Sequence, residues 1–302
     1  MLDAIIIGGG PAGLTAGIYL MRAGLTCALY EKQFCGGQAA TTNVIENYPG
    51  FVDGIGGPEL SMNMMEQATK LGLEVRYDEI TEVKLTDDEK YVVAGGEKVE
   101  AKSIILCMGA TPRPLGVNDE ERLRGRGVSY CATCDGAFYR GKKVCVVGGG
   151  NTAAEDALYL ARFAESVTVV HRRDRFRAAK VLVERMHKTA NIDICMESVV
   201  KSISGAQKLE RIVLKNVRDD TERELEMDGL FIAVGMEPQT ALVEEQIELE
   251  NGYVKAGEDT RTSVRGVYAA GDLRTKPLRQ VVCAASDGAV AATMAQMDID
   301  GI

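Results

Sequence analysis

Two cysteines three positions apart, Cys131 and Cys134, form the most reactive pattern in the sequence. Thiols at this spacing can close a small disulfide ring, and a CxxC context can lower the pKa of one thiol so that its thiolate exchanges disulfides. Half of a zinc site has the same pattern, but zinc needs four ligands, commonly a second CxxC or a close histidine pair. The other cysteines form no short-spaced pair, and His171 and His187 are sixteen positions apart, so we favour a redox pair over a metal site.

An acidic residue, Asp135, directly follows the second cysteine. A carboxyl group at this place could donate and accept protons for the dithiol, provided that it is partly shielded from water. A plain turn residue before the next strand fits the spacing equally well. Asp135 is therefore a candidate acid and base, and its burial decides between the two interpretations.

A glycine-rich segment near the N-terminus, with Gly8, Gly10 and Gly13, has the spacing of a dinucleotide-binding loop. It follows an apolar run and opens a stretch with apolar residues at helical spacing. Such glycines permit a tight turn and let backbone N–H groups approach a pyrophosphate at a helix N-terminus. Glu31, eighteen residues after Gly13, follows the next apolar run, where a carboxylate can bind ribose hydroxyls. A glycine-rich turn without a ligand is the alternative.

The same unit recurs 140 positions later, because AIIIGGGPAGLTAGIYLMRAG aligns without a gap with VCVVGGGNTAAEDALYLARFA. Gly148 and Gly150 repeat the glycine spacing, and Ala153 takes the third position, which the dinucleotide pattern permits. The position that corresponds to Glu31 is His171, which opens the basic run HRRDRFR. The two loops therefore differ in the charge that follows their second strand.

This basic run replaces the acid with guanidinium groups that could hold the 2′-phosphate of NADPH, whereas a carboxylate would repel it. The arginines concerned are Arg172, Arg173 and Arg177. A solvated surface or a nucleic-acid patch is the usual meaning of a charge run, but the register with Glu31 argues against both. The second site is therefore predicted to prefer NADPH to NADH.

Both copies of the repeat predict a strand, a helix and a second strand. The first apolar run of each copy, at residues 5–7 or 144–147, is rich in β-branched residues and does not alternate, which indicates a strand buried on both faces. A second apolar run follows the helix in each copy, at residues 27–30 or 167–170. Further buried strands should end at turn glycines, at residues 103–108, 230–234 and 267–270. Residues 110–126 are typical of a linker, and a second crossing is expected near residues 237–244. The predicted fold class is α/β, with two Rossmann-like domains, the second inserted into the first.

Length and charge exclude several classes of protein. The 302 residues fit two domains, and 35 basic against 44 acidic residues leave a net charge of −9 and a pI near 5.0. That balance argues against a nucleic-acid or anionic-membrane partner held by bulk electrostatics. The opening MLDAIIIGGG lacks the features of a secretory signal, and no run of about 18 apolar residues occurs, so a cytoplasmic protein without membrane spans is expected.

Two dinucleotide sites and a redox CxxC together require a carrier that accepts hydride and delivers electrons to thiols. A flavin joins these two chemistries, so the first site is predicted to bind FAD and the second NADPH. The FAD-binding domain is predicted to span residues 1–112 and 245–302. The NADPH-binding domain, which carries the CxxC, is predicted to span residues 113–244.

The order of these motifs resembles a known family, the low-molecular-weight, bacterial-type thioredoxin reductases. The motifs that carry the resemblance are GGGPAG, the GGQ of 36–38, the ENYPG of 46–50, CATCD, GGGNTA, HRRDRFR, the GDL of 271–273 and the RQ of 279–280. They cover nearly the whole chain. In this family the CxxC lies in the NADPH domain, whereas the larger glutathione-reductase type carries its cysteines in the FAD domain.

The resemblance implies which residues contact each cofactor. Those implied for FAD are Gly8, Gly10, Pro11, Ala12, Gly13, Glu31, Gly37, Gln38, Asn47, Gly271, Asp272, Arg279 and Gln280. Those implied for NADPH are Gly148, Gly150, Asn151, Thr152, Ala153, His171, Arg172, Arg173, Arg177 and Gly235. Simpler roles are also open, since Asp272 could cap a helix and Asn47 could hold a turn.

The resemblance also implies a reaction, in which hydride from NADPH reduces FAD, FAD reduces the Cys131–Cys134 disulfide, and the dithiol reduces oxidised thioredoxin or a thioredoxin-like protein. Cys134 would face the flavin, Cys131 would attack the partner disulfide, and Asp135 would act as acid and base. A homodimer is implied as well, and so is a rotation of the NADPH domain about hinges near residues 110–113 and 237–240.

Three alternatives stay open. A ferredoxin-dependent flavin thioredoxin reductase and an FAD-dependent dithiol oxidase share the fold but leave GGGNTA and HRRDRFR unused. A zinc-stabilised nucleotide-binding module would need ligands that the sequence does not offer. Cys35 and Cys283, which flank the implied flavin residues, are expected to be buried thiols, with an additional redox role as the alternative.

Overall fold

The chain crosses between two structural units in the computed structural model, which describes residues 1–42 and 44–302. The first unit contains Met1–Thr111 and Glu237–Ile302, and the second contains Pro112–Met236. The return crossing thus precedes residues 237–244, which the sequence assigned to the inserted domain. They belong to the first unit because Val243 is buried in its core and, just beyond, Gln246 donates a hydrogen bond to the Val83 carbonyl.

The described residues form nineteen strands and six α-helices. The strands are β1 (Leu2–Ile7), β2 (Cys27–Tyr30), β3 (Glu74–Arg76), β4 (Ile80–Leu85), β5 (Lys90–Ala94), β6 (Glu97–Leu106), β7 (Ala110–Pro112), β8 (Val128–Ser129), β9 (Lys143–Val147), β10 (Ser166–Val170), β11 (Ile192–Cys195), β12 (Ser198–Ser204), β13 (Arg211–Asn216), β14 (Glu222–Glu226), β15 (Gly229–Ile232), β16 (Met236–Pro238), β17 (Leu249–Glu250), β18 (Tyr253–Val254) and β19 (Val267–Ala269). The helices are α1 (Pro11–Arg22), α2 (Gly57–Lys70), α3 (Ala132–Asp135), α4 (Asn151–Leu160), α5 (Lys180–Lys188) and α6 (Val281–Asp300). Short 3₁₀ helices span Gly37–Thr41, Gly136–Tyr139 and Gly271–Leu273.

The first unit is built on a seven-stranded sheet in the order β3-β2-β1-β6-β5-β4, with β19 also paired to β6. Strand β1 pairs in parallel with β2 and β6, which places Ile5 beside Ala28 and Ile104. Alternate residues of β1 enter two different cores, because Ile6 packs with α1, α2 and α6 while Ile5 packs with β4 and β5. Both side chains are fully buried, as the unbroken apolar run predicted.

The second unit is built on a five-stranded sheet in the order β11-β10-β9-β15-β8, in which every neighbouring pair is parallel. The antiparallel sheet β12-β13-β14 belongs to the same unit. Strand β9 is also buried on both faces: Val146 packs with Ala154 of α4, and Cys145 packs with Val200 and Ile212 of the antiparallel sheet. The repeat seen in the sequence is thus a repeat of structure.

Both units have the strand order of a Rossmann fold around the strand that precedes their glycine-rich segment, β3-β2-β1 in one and β11-β10-β9 in the other. The strand predicted at residues 27–30 spans Cys27–Tyr30, and the one predicted at 167–170 lies within Ser166–Val170. The predicted α/β fold with two Rossmann-like units is therefore confirmed. Across residues 1–42 and 44–302, no helix has the length and apolar character needed to cross a membrane.

Candidate functional site

The first glycine loop lies between β1 and α1, at the carboxyl edge of its sheet. Gly8 has a φ of 105°, and a Cβ atom there would stand 2.4 Å from the Cys107 carbonyl oxygen, so the position requires glycine. Gly10 is the N-cap of α1, and nothing lies within 4 Å of the place where its Cβ atom would stand. Open space at a helix N-terminus lets a phosphate approach the backbone. The loop therefore has the shape of a pyrophosphate cradle.

Glu31 follows β2 and its carboxylate reaches the glycine loop. The N–H of Gly9 donates to Oε2 at 2.8 Å, and the N–H of Gln33 donates to Oε1 at 3.0 Å. Each carboxylate oxygen can accept a second hydrogen bond, so Glu31 can still bind ribose hydroxyls. The N–H of Gly36 donates to the Gly9 carbonyl at 2.7 Å, which attaches the predicted 36–38 segment to the same loop.

A 3₁₀ turn at Gly271–Leu273 follows β19 and places Asp272 at this edge of the sheet. Among the residues that the structure describes, Asp272 Oδ1 is the one buried side-chain polar atom without a hydrogen-bond partner. Burial raises the pKa of this carboxyl group, and the charges of Lys276 and Arg279 oppose the rise. A buried acceptor is costly unless something donates to it, so the site fits a ligand with hydroxyl donors, such as the ribityl chain of a flavin. The N-cap of α6 is Gln280, so Asp272 does not cap that helix.

Three more residues of the predicted flavin set make contacts within the first unit. Asn47 Nδ2 donates to Gln280 Oε1 at 2.9 Å, although the two residues are 233 positions apart. The guanidinium of Arg279 lies over the ring of Tyr253, 4.0 Å from its centroid. Asn47 thus joins the segment after β2 to the start of α6, a longer-range contact than a turn residue makes.

A buried charge cluster that the sequence did not reveal supports the Gly271 turn. Asp287 of α6 accepts hydrogen bonds from Gly271 N–H at 2.9 Å, Arg274 Nη2 at 2.7 Å and Lys276 Nζ at 2.6 Å. Asp287 and Arg274 are 6% and 5% exposed. Burial acts to raise the pKa of Asp287, but the hydrogen bonds from Arg274 and Lys276 outweigh it and hold the pKa below its ordinary value. The cluster fixes the backbone that carries Asp272.

The second glycine loop lies between β9 and α4 and also has open space at its helix N-terminus. Gly150 is the N-cap of α4, and nothing lies within 4 Å of the place where its Cβ atom would stand. Gly149 is different, because a Cβ atom there would stand 2.0 Å from Cε1 of His171. Asn151 accepts a hydrogen bond from the N–H of Ala179 at 2.9 Å. The second loop therefore offers a phosphate cradle whose other side rests on His171.

His171, which the resemblance implied as an NADPH contact, supports this loop by packing. It is 6% exposed, its Nε2 lies 3.1 Å from the Arg175 carbonyl oxygen, and its ring stacks on Phe176. Burial lowers the pKa of the ring, the hydrogen bond with the Arg175 carbonyl opposes this, and the neighbouring arginine charges lower the pKa further. The imidazole is therefore mainly neutral at pH 7, and the positive charge at this site comes from the arginines.

Arg172, Arg173 and Arg177 are exposed next to the second loop. None of their side chains makes a hydrogen bond or ion pair within residues 1–42 and 44–302. The backbone N–H of Arg177 donates to the Gly149 carbonyl at 2.7 Å, so this basic segment is attached directly to the glycine loop. Unpaired guanidinium groups in this place suit a phosphate monoester.

Cys131 and Cys134 form a disulfide at the start of α3, with their Cα atoms 5.3 Å apart. They follow β8, the edge strand that runs parallel to β15 and β9. The disulfide therefore lies at the same carboxyl edge of the sheet as the second glycine loop. Both cysteines are half-exposed. Across the residues that the structure describes, no group of three His, Cys, Asp or Glu side chains is placed to hold a metal ion.

Asp135 ends α3 and is half-buried. Burial raises the pKa of its carboxyl group, and a hydrogen bond from Ser129 Oγ to Asp135 Oδ2, 2.6 Å long, partly offsets the rise. This is the partial shielding that an acid and base next to the cysteines requires.

A buried glutamate, Glu120, holds the segment before the cysteines. The sequence did not reveal it, because the pattern of residues 110–126 is typical of a linker. Its Oε1 accepts hydrogen bonds from Leu115 N–H at 2.9 Å and from the Tyr130 hydroxyl at 2.5 Å. Its Oε2 accepts one from Gly116 N–H at 2.8 Å. Tyr130 directly precedes Cys131, so Glu120 ties the disulfide segment to the ordered loop upstream.

The two cysteines that flank the predicted flavin residues differ in burial. Cys35 is buried, as expected, and its Sγ lies against Gly9 of the first loop. Burial raises the pKa of the Cys35 thiol, which disfavours a thiolate. Cys283, on α6, is only half-buried, so the expectation of two buried thiols is wrong for it.

Comparisons with known proteins cover both units. The sequence matches the family of pyridine nucleotide-disulphide oxidoreductases over residues 2–288. The thioredoxin reductases of Mycolicibacterium smegmatis and Bacillus subtilis are each 45% identical to this chain over 296 residues, which are 97% of this chain and 95% and 93% of theirs. The crystal structure of thioredoxin reductase from Streptococcus pyogenes MGAS5005 matches with a TM-score of 0.95 at 42% identity, over 100% of this chain and 99% of that one.

Proposed function

Because this chain belongs to the pyridine nucleotide-disulphide oxidoreductase family and, within it, to the thioredoxin reductases of the bacterial type, we propose that it is a thioredoxin-disulfide reductase that uses FAD and NADPH. In the proposed reaction, electrons from NADPH reduce the Cys131–Cys134 disulfide, and the dithiol reduces a disulfide of thioredoxin or a thioredoxin-like protein. The observation that carries the proposal is the half-exposed disulfide, with Asp135 beside it, at the sheet edge that also holds the second glycine loop.

FAD fits the residues of the first unit. The open cradle at Gly10 would take the pyrophosphate, Glu31 would accept ribose hydroxyls, and the orphaned Oδ1 of Asp272 would accept a hydroxyl of the ribityl chain. A bound FAD supplies the two-electron transfer between a nicotinamide and a disulfide. The cluster around Asp287 would keep Asp272 in place for this contact.

NADPH fits the residues of the second unit. The cradle at Gly150 would take the pyrophosphate, and the unpaired guanidinium groups of Arg172, Arg173 and Arg177 would take the 2′-phosphate. A carboxylate would discriminate against that phosphate, and none stands at the position that corresponds to Glu31. The positive charge at this position therefore supports a preference for NADPH over NADH.

The exchange with the partner follows from the two half-exposed cysteines. In the reduced state, a Cys131 thiolate would attack one sulfur of the partner disulfide, forming a mixed disulfide and releasing the other partner sulfur. Attack by Cys134 on Cys131 would then release the second partner sulfur and restore the Cys131–Cys134 disulfide. Asp135, whose pKa burial raises, would take a proton from one thiol and return it to a leaving sulfur.

The two flavin-dependent alternatives, with ferredoxin as donor or oxygen as acceptor, are less favoured. Relatives at 45% identity over nearly the whole chain are thioredoxin reductases, and the second loop with its arginines would have no use in either alternative.

An anaerobic spectroscopic experiment tests the proposal. The purified protein is mixed with NADPH or NADH, the visible flavin absorbance is followed, and oxidised thioredoxin is then added. We expect rapid bleaching by NADPH, much slower bleaching by NADH, and recovery of the absorbance when thioredoxin is added. Absence of bleaching by either nucleotide would refute NADPH as the electron donor, and absence of recovery would refute thioredoxin as the acceptor.

Charge reversal at the basic segment tests the choice of nucleotide. Arg172→Glu combined with Arg173→Glu should raise the KM for NADPH by at least about tenfold, because each charge-assisted hydrogen bond to a phosphate contributes about 1.5–3 kcal/mol. The KM for NADH should change little. Lys208→Glu combined with Arg211→Glu, at two exposed basic residues of the same unit, is the matched control because it makes the same change in net charge. Equal effects on both nucleotides would contradict the assignment.

A further inference from the structure

A serine hydroxyl connects the candidate acid to the backbone of the redox cysteine. Ser129 ends β8 and is 4% exposed. Its Oγ lies 2.6 Å from Asp135 Oδ2, 3.1 Å from the Cys131 nitrogen and 3.3 Å from the Cys131 carbonyl oxygen. The N–H of Cys131 is the donor in the second contact, so Ser129 Oγ is an acceptor there.

A hydroxyl group has one proton to donate, and Ser129 faces two acceptors. When Asp135 is ionised, the proton belongs in the 2.6 Å contact with Oδ2, a length typical of an O–H···O⁻ hydrogen bond. When Asp135 is protonated on Oδ2, the carboxyl group becomes the donor in that contact. The hydroxyl proton of Ser129 can then turn to the Cys131 carbonyl. The Asp135 N–H also donates to this carbonyl, at 3.1 Å.

We propose that Ser129 is a positioning residue that couples the protonation of Asp135 to the backbone of Cys131. In one state its hydroxyl stabilises the carboxylate, and in the other it binds the carbonyl of the exchanging cysteine. This inference rests on the proposed function, because it assigns Asp135 the acid and base role in disulfide exchange. The O–H bond of Ser129 is never broken, and only its direction changes.

The protons of the exchange balance through Asp135 alone. The enzyme dithiol loses two protons and two electrons as its disulfide re-forms, and the partner disulfide gains both. A proton that Asp135 takes from a Cys131 or Cys134 thiol leaves again with a partner sulfur, so the carboxyl group cycles between its two states once for each proton that it carries. Ser129 changes its hydrogen bond at each of these steps.

Other titratable groups lie on the elements around Asp135, and their titrations have to be distinguished from that of Asp135. The cysteines Cys131 and Cys134 share its helix, and Tyr139 follows in the next turn, where burial and then the charges of Asp135 and Asp228 raise the pKa of Tyr139 to about 12. Tyr130 lies on the segment that leads from β8. Helix α4, which packs on α3, carries Glu155, Asp156 and Tyr159, and burial followed by the charge of Glu155 raises the pKa of Asp156 to about 7.

Infrared titration of the disulfide form, with FAD bound and without NADPH, measures Asp135 directly. The carbonyl stretch of its protonated carboxyl is the band lost in Asp135→Asn, and Asp156→Asn identifies the band of the neighbouring acid on α4. In Ser129→Ala the Asp135 midpoint should rise by about one pH unit, because the carboxylate loses a charge-assisted hydrogen bond. Ser129→Thr keeps a hydroxyl and should restore the wild-type midpoint.

The coupling to Cys131 is tested in the chemically reduced protein. The rate of Cys131 alkylation by iodoacetamide is followed against pH by mass spectrometry of its peptide, which separates it from the other cysteines. Ser129→Ala should move the lower inflection of this profile by the same amount as the infrared midpoint. In the Asp135→Asn background, Ser129→Ala should cause no further shift in the alkylation profile.

Two results would overturn the inference: equal infrared midpoints in the wild type and in Ser129→Ala with unchanged circular dichroism, or an alkylation shift that persists in the Asp135→Asn background. If Ser129→Thr does not fold, the double-variant comparison still decides. Neither measurement uses NADPH or thioredoxin. Failure of NADPH-driven reduction would therefore refute the proposed function without deciding this coupling.

Discussion

Replacing Asp287 with asparagine removes the carboxylate that binds both Arg274 and Lys276, two buried cations. Asp287 accepts hydrogen bonds from Arg274 and Lys276, and the side chains of Arg274 and Lys276 are each 5% exposed. Removing one partner of a buried ion pair costs about 3–5 kcal/mol, because the remaining charge stays out of water without compensation. Since whole proteins are stable by about 5–15 kcal/mol, Asp287→Asn should remove a large part of the stability of the first unit.

Urea unfolding followed by circular dichroism at pH 7 measures this loss. The matched control is Glu248→Gln, the same acid-to-amide change in the same unit, whose ion pair with Lys255 is more than half exposed on both sides. The control should leave the unfolding midpoint unchanged, because exposed ion pairs contribute little. Similar midpoints for the two variants would show that the buried cluster is not stabilising, and the reasoning would fail.

The same pair of proteins tests the pH dependence. The folded-state pKa of Asp287 lies below its ordinary value because the hydrogen bonds from Arg274 and Lys276 outweigh burial. Its stabilisation is therefore fully present above the unfolded pKa of about 4 and is lost as the pH falls through the lower folded pKa. The difference in free energy of unfolding between the wild type and Asp287→Asn should narrow below about pH 4. A constant difference down to pH 3 would contradict this sign.

Two further predictions concern the second unit. Gly149→Ala should lower the Tm and weaken NADPH binding, because its Cβ atom would stand 2.0 Å from the His171 ring. Gly150→Ala should keep the Tm and lose only NADPH affinity, because nothing lies within 4 Å of its Cβ position. Thermal unfolding and nucleotide titration of both variants check this, and equal Tm losses would refute the distinction. Glu120→Ala should cost at least about 2 kcal/mol, because it leaves buried N–H groups and the Tyr130 hydroxyl without their acceptor, and should speed trypsin cleavage within residues 113–126. An unchanged cleavage rate would show that this segment is held by other contacts.

Most of the fold followed from the sequence because the repeat at an offset of 140 marks two copies of one unit. Runs such as Ile5–Ile7 and Cys27–Tyr30 lack alternation, and that pattern has one common cause, a parallel strand covered on both faces. The glycine spacing predicted both loops because the backbone packs so closely there, as at Gly8 against the Cys107 carbonyl, that no side chain is permitted. The predicted residue roles, the homodimer and the cytoplasmic location stay predictions.

The polar contacts that support the site could not be predicted in this way. Arg274, Lys276 and Asp287 are charged residues in a linker and a helix, and in a sequence such charges are typical of a solvated surface. Only the fold shows that they are buried together. Glu120 was hidden for a similar reason, because charges and prolines in its neighbourhood indicate a linker. Periodicity reports which face of an element is apolar, and it carries no signal for a buried carboxylate held by backbone N–H groups.

The insertion of the second unit has a consequence for the order in which the protein is made. Residues 112–236 are continuous, so this unit has all of its strands soon after they leave the ribosome. The first unit lacks β19 and α6 until the last part of the chain is synthesised, and α1 then packs against Gly288 so closely that a Cβ atom there would lie 2.1 Å from the Ala12 carbonyl oxygen. During synthesis, the apolar face of α1 and the carboxyl edge beside β1 therefore stay exposed until residues 237–302 are made. In this interval the nascent chain can bind chaperones or misfold.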